Sequence, residues 1–286
     1  MSKIGNTDLV RLRKFEEINC ISANIFAKTE FNNPFGSIKD RVALKMIESA
    51  EINGEISIDS RIIEATSGNM GISLAAICNV KGYPCTIIMP ENMSEKRRDL
   101  ILNYGAELIL TPKDSGMKGS INKVNELVNK YSNTFYTKQF ENTLAIDTHM
   151  IHTATEIYYQ SDGKVDIILA GIGTGATITG IAKFFKNIDS TIKIIGILPS
   201  NYPHKIQGIG AGIKLPLLNI NLLDQIIEVS DSEALYEQNK IYEYDGLSVG
   251  ISSGAVLAGL KKLLVSNNYS NKNIALIFPD GADRYQ

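Results

Sequence analysis

Short apolar runs alternate with longer amphipathic stretches through most of the chain, and this alternation constrains the fold more than any other feature. The runs 61–65, 85–89, 107–110, 166–170, 193–198 and 274–278 are rich in Ile, Leu and Val and are bounded by Gly, Pro, Asn or Asp. That is the pattern of buried strands. Between them a helical period returns. Ile38, Val42, Met46 and Ile47 form one apolar stripe, with Lys39, Asp40, Lys45 and Glu48 mostly off it. Similar stripes predict helices over 71–80, 95–104, 120–130, 178–186, 232–244 and 254–264. Alternation of this kind builds open parallel sheets with right-handed crossovers, so the expected class is α/β. The polar stretch 130–142 is the weakest-patterned region near mid-chain and the best candidate boundary. The Asn-rich segment 266–273 reads as a surface loop. A ligand held between two sheets suits this many βα units, because pockets favour domain clefts and the carboxyl ends of strands.

Composition narrows the partners. With 44% hydrophobic residues over 286 positions, the chain has ample apolar surface for a core and is not a disordered tail. Lys plus Arg total 29 against Asp plus Glu 31, a net charge of -2. Such a balance exerts no long-range pull on nucleic acid or anionic lipid, which leaves small molecules as the expected partners. The first twenty residues lack an apolar core of signal-peptide length, and no run approaches the roughly eighteen apolar residues that span a bilayer. A cytoplasmic location is expected, with no membrane partner. Cys20, Cys78 and Cys85 read as reduced core thiols. Neither they nor His149, His152 and His204 fall at metal-ligand spacing, and no metal is expected.

Four segments carry chemistry. In Asn33-Pro34-Phe35-Gly36-Ser37-Ile38-Lys39-Asp40-Arg41, a Pro-Gly turn leads into a helix with Ser37 as a plausible cap and Lys39 in its first turn. The dipole disfavours a cation there. Lys39 is then either a solvent lysine paired with Asp40 or Glu30, or an amine with a depressed pKa, ready to form a Schiff base. In Glu64-Ala65-Thr66-Ser67-Gly68-Asn69-Met70-Gly71, a strand ends in hydroxyls, an amide and glycines before a helix opens. This is either a structural turn or a seat for a carboxylate or phosphate. Ala170-Gly171-Ile172-Gly173-Thr174-Gly175-Ala176-Thr177 follows the strongest strand and suits phosphate. A dinucleotide fingerprint is the competitor, but Ala176 occupies its third glycine position. In Gly250-Ile251-Ser252-Ser253-Gly254, a hydroxyl either caps a helix or faces a ligand ring nitrogen.

Together with Gln139-Phe140-Glu141-Asn142, the run from His204 to Gly212 and the motif Pro279-Asp280-Gly281-Ala282-Asp283-Arg284-Tyr285, these segments cover nearly the whole chain. The chain resembles the cysteine synthase and cystathionine β-synthase family of fold type II pyridoxal-phosphate enzymes. The resemblance implies two open, twisted, mostly parallel sheets flanked by helices, with pyridoxal 5′-phosphate in the cleft between domains. Residues 1–10 and 36–141 would form a smaller, mobile domain, and 11–35 with 142–286 a larger one. Lys39 would hold the cofactor covalently and serve as the catalytic base. Asn69 would contact the ring hydroxyl, Gly173, Thr174, Gly175, Ala176 and Thr177 would cradle the phosphate, and Ser252 would face the pyridine nitrogen. Thr66, Ser67, Asn69, Met70, Gln139 and Gly208 would bind the substrate.

The implied reaction replaces the β-substituent of an activated serine with a sulfur nucleophile, O-acetylserine and sulfide giving cysteine and acetate, in a homodimer. Alternatives are release of sulfide from cysteine, cystathionine-type thiol addition, or a non-catalytic regulatory paralogue that binds the cofactor. Three departures from the family pattern bear on substrate choice. Met70 stands where Thr is usual, Ala176 where Gly is usual, and the segment 198–203 is short.

Overall fold

The computed structural model describes residues 1–266 and 269–285. The first part of the chain runs β1 (Leu9–Arg11), α1 (Arg13–Ile18), β2 (Asn24–Thr29), α2 (Lys39–Ile52), β3 (Arg61–Ala65) and α3 (Asn69–Lys81). It continues through β4 (Cys85–Pro90), α4 (Glu95–Asn103), β5 (Glu107–Thr111), α5 (Gly116–Lys130) and β6 (Thr134–Tyr136). Then come α6 (Leu144–Thr148), a π-helical turn (His149–Ala154), α7 (Thr155–Gln160), β7 (Ile167–Gly171), α8 (Ala176–Ile188) and β8 (Lys193–Pro199). The chain ends with β9 (Gln225–Val229), α9 (Asp231–Asp245), α10 (Ile251–Ser266) and β10 (Asn273–Phe278). Every strand and helix expected from the alternation is present, within a few residues of its expected ends. Of the expected loop 266–273, Asn267 and Asn268 lie outside the described residues.

The strands form two sheets, as an α/β chain of this pattern should. One has six strands in the order β1-β2-β10-β7-β8-β9, the other four in the order β5-β4-β3-β6. Among the described residues, β1–β2 is the one antiparallel strand pair. The six-stranded sheet is buried on both faces. Leu169, Ile195 and Leu276 pack in one apolar cluster with α10, while Ile168, Ile194 and Ile277 pack in another with α8. Double burial explains the near-continuous apolar strands.

β1, β2, β6 and β9 escape the sequence pattern. Lys28 interrupts β2, yet its side chain is fully buried in an ion network. β9 alternates exposed with buried positions at the sheet edge. β6 is three half-buried residues inside the polar stretch 130–142. Cys78 and Cys85 are buried free thiols, but Cys20 is exposed and takes no part in a core. Among the described residues no helix is long and apolar enough to cross a membrane.

Candidate active site

The carboxyl ends of β3 and β7 open onto one cleft of about 310 Å³. Lys39, Thr66, Ser67, Asn69, Met70, Gln139, Gly173, Thr174, Gly208 and Ser252 all line it. Gly175 and Thr177 line an adjoining recess that shares Lys39, Gly173, Thr174, Gly208 and Ser252. Ala176 lies just behind, in contact with a small void beside Lys39. Residues from five separate segments thus meet around one lysine.

Lys39 is the first residue of α2. Its position is set from both sides. Gly36 turns the chain with φ +76°, Ser37 pairs with Asp280 in an isolated bridge, and the Ile38 N–H donates to the Pro279 carbonyl at 2.8 Å. The Ser37 hydroxyl accepts the Lys39 N–H at 3.3 Å, although Ile38 rather than Ser37 occupies the cap position. Neither acid expected of a solvent lysine is its partner. Asp40 accepts from the Phe35 N–H at 2.7 Å and the Ser73 hydroxyl at 2.6 Å. Glu30 pairs with Arg41 at 2.7 Å. Burial pushes the Lys39 amine down to about 8, against the pull of the Asp280 carboxylate.

Arg41, one half-turn on, anchors α2. It donates to Glu30 and, at 2.6 Å, to Glu156, which also receives Lys28 at 2.7 Å. Burial works to raise the Glu156 carboxyl, but its bonds to Arg41 and Lys28 win and hold it near 2.

A depressed lysine is a nucleophile only when neutral. Capture of an aldehyde by Lys39 in the cofactor-free chain should therefore rise as pH passes about 8. Below that point it should fall by about tenfold per unit. Stopped-flow absorbance across this range checks it, and a rate with its inflection near the ordinary lysine value would show that burial does not control the amine.

Two helix N-termini face the lysine. At α8, Gly175 has φ +89°, and a Cβ there would lie 2.7 Å from Leu218. A Cβ on Gly173 would lie 2.5 Å from the Gly208 carbonyl oxygen. Both positions need glycine for space, and the bare backbone N–H groups at the helix start suit a phosphate. Ala176, buried, is no obstacle, and its N–H meets the Thr174 hydroxyl at 3.3 Å. At α3, the Thr66 hydroxyl accepts the Gly68 N–H at 3.0 Å, which keeps its own proton free for the cleft. The first N–H groups of α3 have no helical carbonyl to pair with and can take a carboxylate. Gln139 spends one amide hydrogen on the Ala65 carbonyl at 2.6 Å. Its backbone N–H meets buried Glu64, whose carboxyl burial pushes up to about 7 against the hydrogen bonds it receives.

Ser252 supplies the third function. Its hydroxyl is buried beside the Tyr285 hydroxyl and makes no hydrogen bond of ordinary geometry among the described residues, while Tyr285 donates to Asp280 at 2.6 Å. An amine lowered by burial, an anion cradle and a buried hydroxyl that no described residue binds fit the aldehyde, phosphate and ring nitrogen of pyridoxal phosphate. Asn69 is less free than its sequence setting suggests. Its amide donates to Asp280 at 2.6 Å and accepts from Arg284 at 3.3 Å.

Sequence reasoning missed Arg97. It is buried on α4, donates to the Ser67 carbonyl at 3.0 Å and to Gln207 at 2.7 Å, and lies over the Tyr285 ring. The side chain ties the Thr66–Asn69 loop to the opposite wall. Its signal was absent because α4 reads as a polar surface helix.

The chain is similar to known proteins along its whole length. A family model described as pyridoxal-phosphate dependent enzyme matches residues 1–280. A protein named cysteine synthase from Buchnera aphidicola is 42% identical, over 99% of this chain and 92% of its own length. A hydrogen sulfide-producing enzyme from Fusobacterium nucleatum superposes with a TM-score of 0.96 at 37% identity, covering 100% of this chain and 98% of that one. A cysteine synthase from Entamoeba histolytica superposes at 0.92 with 36% identity, over 99% and 87%. An end-to-end match of this kind, around a cleft that fits the cofactor, leaves one assignment: the chain belongs to the pyridoxal-phosphate-dependent enzymes and uses pyridoxal 5′-phosphate as its cofactor.

Proposed function

We propose that the chain exchanges the β-substituent of an activated serine for a sulfur nucleophile, making cysteine and acetate from O-acetylserine and sulfide. The observation that carries this reading is a single buried amine flanked by two helix N-termini, one suited to phosphate and the other to an α-carboxylate. The relatives named cysteine synthase support it. Residues 36–141 act as the smaller lobe, and 11–35 with 142–286 as the larger. Of segment 1–10, Met1 and Ile4 pack with the smaller lobe, whereas Gly5 to Val10 bond to residues of the larger one. The working form is a cytoplasmic homodimer.

When bound, pyridoxal phosphate supplies an electron sink conjugated to the substrate Cα. Lys39 would hold the cofactor through its Nζ and, as a free amine, would be the general base that takes the substrate Cα proton and gives it back. Gly173, Thr174, Gly175, Ala176 and Thr177 would hold the phosphate, and Asn69 would offer its amide to the ring hydroxyl in exchange for its bonds to Asp280 and Arg284. Ser252, a hydroxyl rather than a carboxylate, leaves the ring nitrogen largely unprotonated and so favours β-elimination over fuller carbanion chemistry. Thr66, Ser67, Asn69, Gln139, Gly208 and the Met70 N–H hold the α-carboxylate. Arg97 draws the Thr66–Asn69 loop towards the opposite wall and keeps water from the reacting carbon.

A second reading is release of sulfide from cysteine. It is favoured by the similarity to the hydrogen sulfide-producing enzyme and by Met70, whose buried thioether fills space that a hydroxyl would leave polar. Product analysis with O-acetylserine, O-phosphoserine, serine and cysteine, each with and without sulfide, separates the two. Under the first reading Met70→Thr changes elimination from O-acetylserine by less than about tenfold, or roughly 1.4 kcal/mol. A variant that gains O-acetylserine activity by orders of magnitude and loses cysteine turnover would establish the second.

A further inference from the structure

Behind the recess at the α8 N-terminus sits an imidazole between two hydroxyls. His149 is fully buried, with Nδ1 3.0 Å from the Thr153 hydroxyl oxygen and Nε2 3.2 Å from that of Thr177. The contact depends on two local features. The π-helical turn brings His149 and Thr153 onto one side, and Gly180 lets α8 approach that turn closely enough that a Cβ there would strike His149 and Met150. Single π turns often occur at functional sites.

We propose that Thr153, His149 and Thr177 form a hydrogen-bond relay that points the Thr177 hydroxyl proton at the phosphate, making His149 and Thr153 positioning residues of that site. This rests on the assignment of Gly173–Thr177 to the cofactor phosphate. The argument is one of donor and acceptor accounting. A neutral imidazole donates from one nitrogen and accepts at the other. If Nδ1 carries the proton, Thr153 accepts it and is left with a buried O–H that has no acceptor among the described residues. Thr177 must then spend its proton on Nε2 and offer only lone pairs to an anion. If Nε2 carries the proton, Thr153 donates to Nδ1, Nε2–H donates to Thr177, and the Thr177 O–H is free to meet the phosphate. Only the second tautomer satisfies every buried group once an anion is present. The imidazole is also held neutral. Burial, with the positive field of Lys39, Arg41 and His152, pushes its pKa well below the usual range.

The test uses the holoenzyme. Side-chain nitrogen NMR is expected to show His149 as the neutral Nε2–H tautomer, and an Nδ1–H tautomer overturns the relay. Thr153→Val, which removes the hydroxyl that holds Nδ1, is expected to loosen the imidazole, shift the cofactor phosphorus resonance and weaken cofactor binding by about tenfold, the cost of one hydrogen bond to a charged group. Thr153→Ser should restore both signals. His149→Gln, whose amide can stand in for Nε2–H, should hold the phosphorus resonance near the wild type, whereas His149→Asn should not. If Thr153→Val and His149→Asn leave the phosphorus resonance and affinity unchanged while Thr177→Val alters them, the relay fails and the phosphate assignment stands. If Thr177→Val also changes neither, the phosphate lies elsewhere and both fail.

Discussion

Replacement of Lys39 by alanine is expected to abolish turnover and to leave the cofactor bound without a covalent link. Two losses combine. General-base catalysis contributes about 10²–10⁴-fold. Covalent capture, which draws on an amine that burial lowers to about 8, disappears with it. Within the recess no described neighbour can substitute, because the residues that share it with Lys39 are glycines, hydroxyls and apolar side chains, and Lys113 and His204 line only the wider cleft. Borohydride reduction of the wild type followed by peptide mapping checks the attachment point directly. A pyridoxyl adduct on any lysine other than Lys39 would sink the assignment, as would a Lys39→Ala variant with more than a hundredth of wild-type rate.

The second large effect concerns the support of that lysine. Arg41→Leu is expected to destabilise the fold by about 3–5 kcal/mol, the usual cost of breaking a buried ion pair from one side. The loss falls mainly on Glu30, which is fully buried and, among the described residues, forms an ion pair with Arg41 alone. Thr7 and Asn33 remain to hydrogen-bond it, at 2.8 and 2.9 Å, but neither neutralises the charge. Arg41→Lys should recover only part of the loss, since one ammonium cannot copy a fork that reaches two carboxylates. The pH dependence has a definite sign. Glu156 is held near 2 in the fold, below its ordinary value, so its contribution is complete above about pH 4.5 and is lost as pH falls towards 2. In Arg41→Leu, Glu156 keeps Lys28 but loses its other cation, so less stability remains to be lost over that interval. Urea unfolding at neutral pH and again near pH 3 measures both effects. A neutral-pH loss under about 1 kcal/mol would show that Lys28 and local hydrogen bonds suffice without the guanidinium.

Met70 and Asn69 mark the two ways in which a motif and its surroundings diverge. Met70 was visible as a departure in the Thr66–Gly71 loop, and the fold buries it against the apolar cluster beneath α3. The loop thus exchanges a polar contact for packing while keeping the backbone N–H. Asn69 sits where the motif puts it, yet its amide is held by Asp280 and Arg284, more than two hundred residues away. The C-terminal segment therefore competes with any ligand for that amide.

The alternation of strands and helices, the turn before Lys39 and the glycine loops before α3 and α8 were legible in the sequence because their causes are local. Period, turn geometry and the space taken by a Cβ depend on residues a few positions apart. Burial and choice of partner do not. Lys28 reads as a strand breaker until Glu156, 128 positions on, accepts its charge. Arg97 reads as a surface residue until Ser67, Gln207 and Tyr285 close around it. Lys39 had two readings until Pro279 and Asp280 folded back against α2 and excluded the solvent that would have kept it an ordinary cation. Each outcome was decided by desolvation and by groups brought together from distant segments, and only the tertiary structure supplies those.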